Sequence, residues 1–197
     1  LAETLQNLIE SYADHPEREQ ALWLLPVALQ EGGRYEQAAE HFGKVPASSG
    51  QYEEALYRRA VCRRNALEAA REGLETELYR QQARAVAQEL AAYADAARQR
   101  AADTLRPERV RAWSAAACVA AAELLASAPV GDYERALEVL GGFEEEYPGS
   151  ERIGAVLAVR IRAYRGLRQF DRAAAILRQF LDTADAGQVG ATLAGLA

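Results

Sequence analysis

The residues of this chain whose types could do chemistry are two histidines, two cysteines, two Gly-Gly pairs and one glutamate run. Neither His15 nor His41 has a second ligand at the His-x-x-x-His spacing that turns two imidazoles toward one metal. His15 precedes Pro16 and reads as a turn residue, and His41 as a partly exposed helix residue. Gly32-Gly33 lacks the Lys-Ser/Thr that completes a phosphate-cradling loop, and no Gly-x-Ser-x-Gly elbow occurs. Gly141-Gly142 falls within a predicted helix, where small residues let a neighbouring helix approach. Glu144-Glu145-Glu146 reads as a solvated helix face. Cys62 and Cys118 lie in apolar helical stretches, where burial as small hydrophobes is expected over a disulfide. These residues assign no catalytic, cofactor-binding or metal-binding role, and the chain reads as a non-enzyme without a cofactor.

Arginine is the remaining chemical resource. Lys44 is the lone lysine. Arg58, Arg59, Arg63 and Arg64 form a basic stripe with two readings: pairing with glutamates a turn away, or a bidentate grip on the carboxylates of an acidic segment. A net charge of −6 and a pI near 5.1 are poor for holding a polyanion, so no nucleic-acid ligand is expected. The chain contains no methionine and opens at Leu1, which reads as a processed protein or a fragment. No apolar run is long enough to span a bilayer.

The elements that must position these groups read as helices almost throughout. Abundant alanine with sparse valine and isoleucine favours helix over sheet. The first predicted helix is 1–13, with Leu5, Leu8, Ile9 and Tyr12 on one face. Others follow at 17–31, 34–44 and 51–72, with Gly73 as a kink. A long helix is predicted over 74–105, with Leu78, Ala85, Leu90, Tyr93 and Ala97 inward. Pro107 opens a helix to 127, and the next covers 132–147. Ser150 is the expected N-cap of a helix at 151–165. A helix at 169–183 and a weak one from Ala186 complete the chain.

A short phrase recurs along these helices. Gly33-Arg34-Tyr35-Glu36-Gln37-Ala38, then Phe42, returns as Gly131-Asp132-Tyr133-Glu134-Arg135-Ala136, then Leu140. A looser version is Arg168-Gln169-Phe170-Asp171-Arg172-Ala173, then Leu177. An aromatic, a small residue three on and a large apolar residue four further on share one helix face. A recurring face implies a repeat protein, and such proteins mostly bind rather than transform.

The phrase resembles the second helix of tetratricopeptide repeats, whose period is 34 residues. Tyr133, Ala136, Leu140, Phe143 and Pro148 match that helix and its closing proline. Tyr35, Ala38, Phe42 and Val45 match too, with Gly50 at the proline position, and Phe170, Ala173, Leu177 and Phe180 make a third case. Pro16 and Pro107 resemble closing prolines, and Trp113 falls at the family's early tryptophan. The pattern departs at Tyr52, half a period after Tyr35, where Arg59 occupies an apolar position. It departs again in the over-long middle. The resemblance implies an all-α fold of antiparallel helix-turn-helix pairs stacked as a right-handed superhelix (an α-solenoid) with one unusually long central helix. The single domain 1–197 would comprise N-terminal repeats 1–72, the central helix 73–106 and C-terminal repeats 107–197. The Tyr147-Pro148-Gly149-Ser150 turn is similar to repeats of bacterial envelope proteins, such as outer-membrane assembly lipoproteins and the periplasmic coordinator of the Tol–Pal system. It implies a periplasmic or envelope setting, with a cytoplasmic one as the alternative.

Carried across by register, the family's groove positions are Gln20, Trp23, Val27 and Gln30, then Tyr57, Val61, Arg64 and Asn65, then Arg162 and Arg165. Trp23 reads equally as a core residue. The Lys/Asn/Arg carboxylate clamp of chaperone-binding members is absent, since Trp23 and Val27 stand at its first Lys and Asn. The implied function is a scaffold holding a peptide or helix of a partner protein, an acidic one if the arginines grip it. The alternatives are a self-assembling homo-oligomer built on the long helix, and a regulatory domain of an enzyme lying outside this sequence.

Overall fold

The computed structural model describes residues 2–12 and 15–183. Every regular element among them is helical, and they contain no strand. The chain divides into two compact units, Leu1–Leu74 and Glu75–Ala197.

The first unit holds α1 (Ala2–Ser11), α2 (Arg18–Glu31), α3 (Tyr35–Phe42) and α4 (Tyr52–Ala70), each packed on the next. Leu25, Leu29, Ala38, Ala39, Phe42, Val45, Ala55 and Cys62 form its core, with Leu5, Ile9, Trp23, Val27 and Tyr35 against it. Burying such side chains supplies the main stabilisation, about 1.5–3 kcal/mol for each large one. Tyr12, expected on the buried face of α1, is exposed because the helix ends one residue earlier. Pro26 sits inside α2 without an amide hydrogen to donate, yet the helix runs on through it. At Gly73 the chain does not kink within one helix. A 3-10 turn, Arg71–Gly73, ends α4, and Leu74 turns extended.

The second unit begins with α5 (Thr76–Arg100) packed on α6 (Pro107–Leu125). The buried residues of α5 are Tyr79, Ala83, Ala87, Leu90, Tyr93, Ala94 and Ala97, which the helical repeat places along one face. Leu78 and Ala85, expected inward, face outward instead, and Leu78 is 43% exposed. The helix also stops short of Leu105. Ala101–Asp103 forms a 3-10 turn whose end is tied by the Thr104 hydroxyl donating to the Ala101 carbonyl at 2.9 Å. α6 is buried almost all round between Ser114 and Ala122, where alanines leave room for neighbours on several sides.

The predicted helix 132–147 is two helices, α7 (Tyr133–Val139) and α8 (Phe143–Glu146). Gly142 adopts φ +70° between them, a left-handed conformation that glycine reaches without steric cost. α9 (Ile153–Gly166) packs on α7 and on α10 (Phe170–Thr183). Its Arg160 spans the α7–α8 break, donating to the Leu140 carbonyl at 2.9 Å and to both Glu144 oxygens. Ser150 is not the N-cap of α9. Arg152 holds that position, and its amide hydrogen reaches the Ser150 hydroxyl at 3.3 Å. The helix expected from Ala186 lies outside the described residues.

The recurring sequence phrase corresponds to a recurring turn. Gly33, Gly131 and Arg168, its first residue in each occurrence, have φ of +72°, +65° and +60°. At Gly33 the Arg34 amide donates to Leu29 and the Gly33 amide to Gln30. At Arg168 the Gln169 amide donates to Tyr164 and the Arg168 amide to Arg165, the same pair of bonds. Both close a helix by satisfying its last free carbonyls, and the aromatic of the phrase then opens the next helix.

Candidate functional site

In the first unit, Gln20, Trp23, Val27 and Gln30 lie on α2, and Tyr57, Val61, Arg64 and Asn65 on α4. Gln20 is exposed and the other seven are half-buried. Trp23 packs on Phe42, with ring centres 5.8 Å apart, and Arg58 stacks 5.4 Å from the Trp23 ring. Arg58 also donates to Glu54 at 3.0 Å and to Gln30 at 3.3 Å. Arg58 thus joins two of the α2 positions to α4, with its charge balanced by a carboxylate one turn away.

The second unit brings Arg162 and Arg165 together one turn apart on α9. They share an opening of about 410 Å³ with Tyr133, Gly166 and Phe170. Phe170, the aromatic of the third occurrence of the recurring phrase, is 62% exposed. The Tyr133 ring rests against the backbone of α9 at Gly166. A Cβ at Gly166 would stand 2.2 Å from its ring, so only glycine admits that approach. Among the described residues, no carboxylate lines this opening. Sequence reasoning marked Tyr133 and Phe170 as repeat residues and missed their place beside the two arginines. Their shared position in the phrase was the available signal.

Further hollows lie in the second unit. A cleft of about 840 Å³ lies where α6 and α9 approach, lined by Glu108, Arg111, Ala115, Tyr147, Glu151 and Arg152 among others. A smaller one of about 250 Å³ adjoins Cys118 and the ion pair between Arg98 and Glu146. Mixed charges line both.

The titratable groups are set for structure. Both cysteines are free and buried. Burial pushes the Cys62 thiol up to about 11 and the Cys118 thiol up to about 12, so neither supplies a thiolate near neutrality. Cys118 spends its proton on the Val139 carbonyl at 3.2 Å. Burial lowers the pKa of His41, which favours its neutral form. Among the described residues, no group of three or more His, Cys, Asp or Glu side chains could hold a metal ion, and no helix is long and apolar enough to cross a membrane. What the opening on α9 can do is bind, through two cations and two aromatic rings, the residue types that dominate interface energies. In comparisons with known proteins, no family model and no curated sequence matches the chain.

Proposed function

We propose that this chain is a non-catalytic interaction scaffold of tetratricopeptide-like helix pairs, stacked as a right-handed superhelix, that holds a peptide or helix of a partner protein. The left-handed turn shared by Gly33, Gly131 and Arg168 supports the repeat, because it recurs in step with the sequence phrase. The observation that carries the binding role is the opening on α9, where Arg162, Arg165, Tyr133 and Phe170 meet. Phe170 gives up little packing in the free chain and gains from being covered, and the arginines add directional hydrogen bonds. The Tyr147-Pro148-Gly149-Ser150 turn supports a setting in a bacterial envelope assembly.

The test compares the chain with a Phe170→Ala, Arg165→Glu variant as bait in extracts. Each recovered protein is then purified and titrated against both. A partner that binds the chain directly and is lost from the variant supports the scaffold. If no recovered protein binds directly, or each binds both baits equally, the proposal fails.

A further inference from the structure

We propose that α8 is a detachable clasp. It is held shut by side-chain ties to three other helices of the second unit, and it swings away as one piece to uncover the hollow beside Cys118. This goes beyond the scaffold reading and does not depend on it.

Charge is the first argument. Glu144, Glu145 and Glu146 follow one another in α8, and all three are exposed. Three carboxylates so close repel one another, so the closed position depends on cations supplied from elsewhere. Arg160 of α9 donates to both Glu144 oxygens, and Arg98 of α5 pairs with Glu146. The third tie goes to α6. The Tyr147 hydroxyl lies 2.6 Å from that of Ser114, while the Tyr147 ring packs on Phe143 with centres 4.8 Å apart. A single turn of helix is unstable by itself, so these ties and the two buried rings keep α8 in place.

Chain geometry is the second. Gly142 and Gly149, on either side of α8, have φ of +70° and +72°. Both interrupt the helical run, so α8 can leave without unwinding α7 or α9. Short contiguous segments of this kind open below the cost of global unfolding. The hollow of about 250 Å³ is lined by Gly141, Glu146 and Tyr147, by Arg98 on α5 and by Cys118 on α6. Cys118 is 7% exposed with α8 closed. Swinging α8 out takes Glu146 and Tyr147 from that lining and bares the thiol. Cys62 belongs to the core of the first unit, so the two cysteines report on different events.

Thiol labelling of the full chain with 4,4′-dithiodipyridine at neutral pH tests this, with mass spectrometry resolving the two cysteines over a range of urea. An opening of α8 alone exposes little surface, so the Cys118 rate should be nearly flat at low urea and steepen only near global unfolding. A Glu144→Gln, Glu146→Gln variant loses both ion pairs and should raise that flat rate about tenfold, leaving Cys62 unchanged. Should the pair of substitutions prevent folding, Glu146→Gln alone takes its place, with a smaller rise. A Cys118 rate that climbs steeply from zero urea overturns the clasp, because the thiol is then reached only by global unfolding. A flat rate that the variant leaves unchanged also overturns it, since the reagent then enters the hollow with α8 closed. Equal acceleration of Cys62 and Cys118 would mean general loosening and overturns it as well.

Discussion

The hydroxyl of Tyr147 lies 2.6 Å from that of Ser114, and the same Ser114 oxygen is 2.6 Å from the Ala94 carbonyl. A carbonyl only accepts, so the serine proton goes to Ala94 and the tyrosine donates to the serine. This relay links α5, α6 and the residue that closes α8 through a fully buried serine. Removing its two ends has unequal costs. Tyr147→Phe deletes one bond and should cost about 1 kcal/mol. Ser114→Ala strands a buried phenol and should cost more, about 1–3 kcal/mol. In the Tyr147→Phe background that excess should vanish. Urea titration of the four chains checks this, and additive losses would refute the relay.

Gly166 and Tyr133 make a second testable pair. Alanine at an exposed helical glycine normally gains about 1 kcal/mol from propensity. Here its Cβ would overlap the Tyr133 ring, so the ring must leave the wall of the opening. Gly166→Ala should therefore lower the Tm in the native background and raise it in a Tyr133→Ala background. The reversal of sign is the signature, read by thermal unfolding. The same direction in both backgrounds would show that the ring does not rest on this glycine.

How much of this was legible in the sequence depends on the residue type. Tyr35, Ala38 and Phe42 mark a buried face because only one face of a short helix is apolar, and the structure buries Ala38 and Phe42. α5 is harder. With alanines at positions 83, 85, 87, 91 and 92 and a valine at 86, several stripes are equally apolar, and packing on α6 chose the one through Ala83. The break at Gly142 was hidden because a glycine pair also suits close helix packing. Gly166 is a matter of contact across 33 positions in the chain, which local pattern does not encode. Register singled out Arg162 and Arg165 as a pair, and they do share one opening, whereas the aromatic residues beside them come from the starts of two other helices.

Glu144 gives a pH dependence with a definite sign. The hydrogen bond from Arg160, the largest influence, lowers its pKa from the ordinary 4.5. A carboxylate with a depressed folded pKa stabilises the fold above pH 4.5, and that contribution is lost as pH falls through the folded value. Its side chain is 42% exposed, so solvent discounts the effect. Glu144→Gln should be less stable than the native chain at neutral pH, with the difference shrinking below pH 4.5. Acid unfolding followed by circular dichroism measures it. A gap that stays constant with pH would exclude the ion pair as its source.

Ala136 sets a direct test of the repeated face. It stands three residues after Tyr133 in α7, is fully buried, and the helix packs against both α6 and α9 there. Glutamate at this site would place a charge where only a methyl group fits. The expected loss is about 3–5 kcal/mol, enough to unfold the second unit. Glu134→Gln, on the exposed side of the same helix, should change stability by no more than about 0.5 kcal/mol. Unchanged thermal stability of Ala136→Glu would mean that the recurring face is not the packing face.

Arg168 offers a gain instead of a loss. It is the one non-glycine among the described residues with positive φ, in the turn that Gly33 makes with the same two hydrogen bonds. A side chain in the left-handed region costs roughly 1–2 kcal/mol because Cβ crowds the following carbonyl. Glycine removes that strain but gains freedom in the unfolded chain, which returns part of it. Arg168→Gly should therefore stabilise the second unit by about 0.5–1 kcal/mol, while Gly33→Ala should destabilise the first. Arg168 is not among the residues lining the opening on α9, so binding of a partner there should change little. If Arg168→Gly lowers the Tm, the arginine side chain contributes more than its backbone costs, and the turn at α10 is held differently from the one at α3.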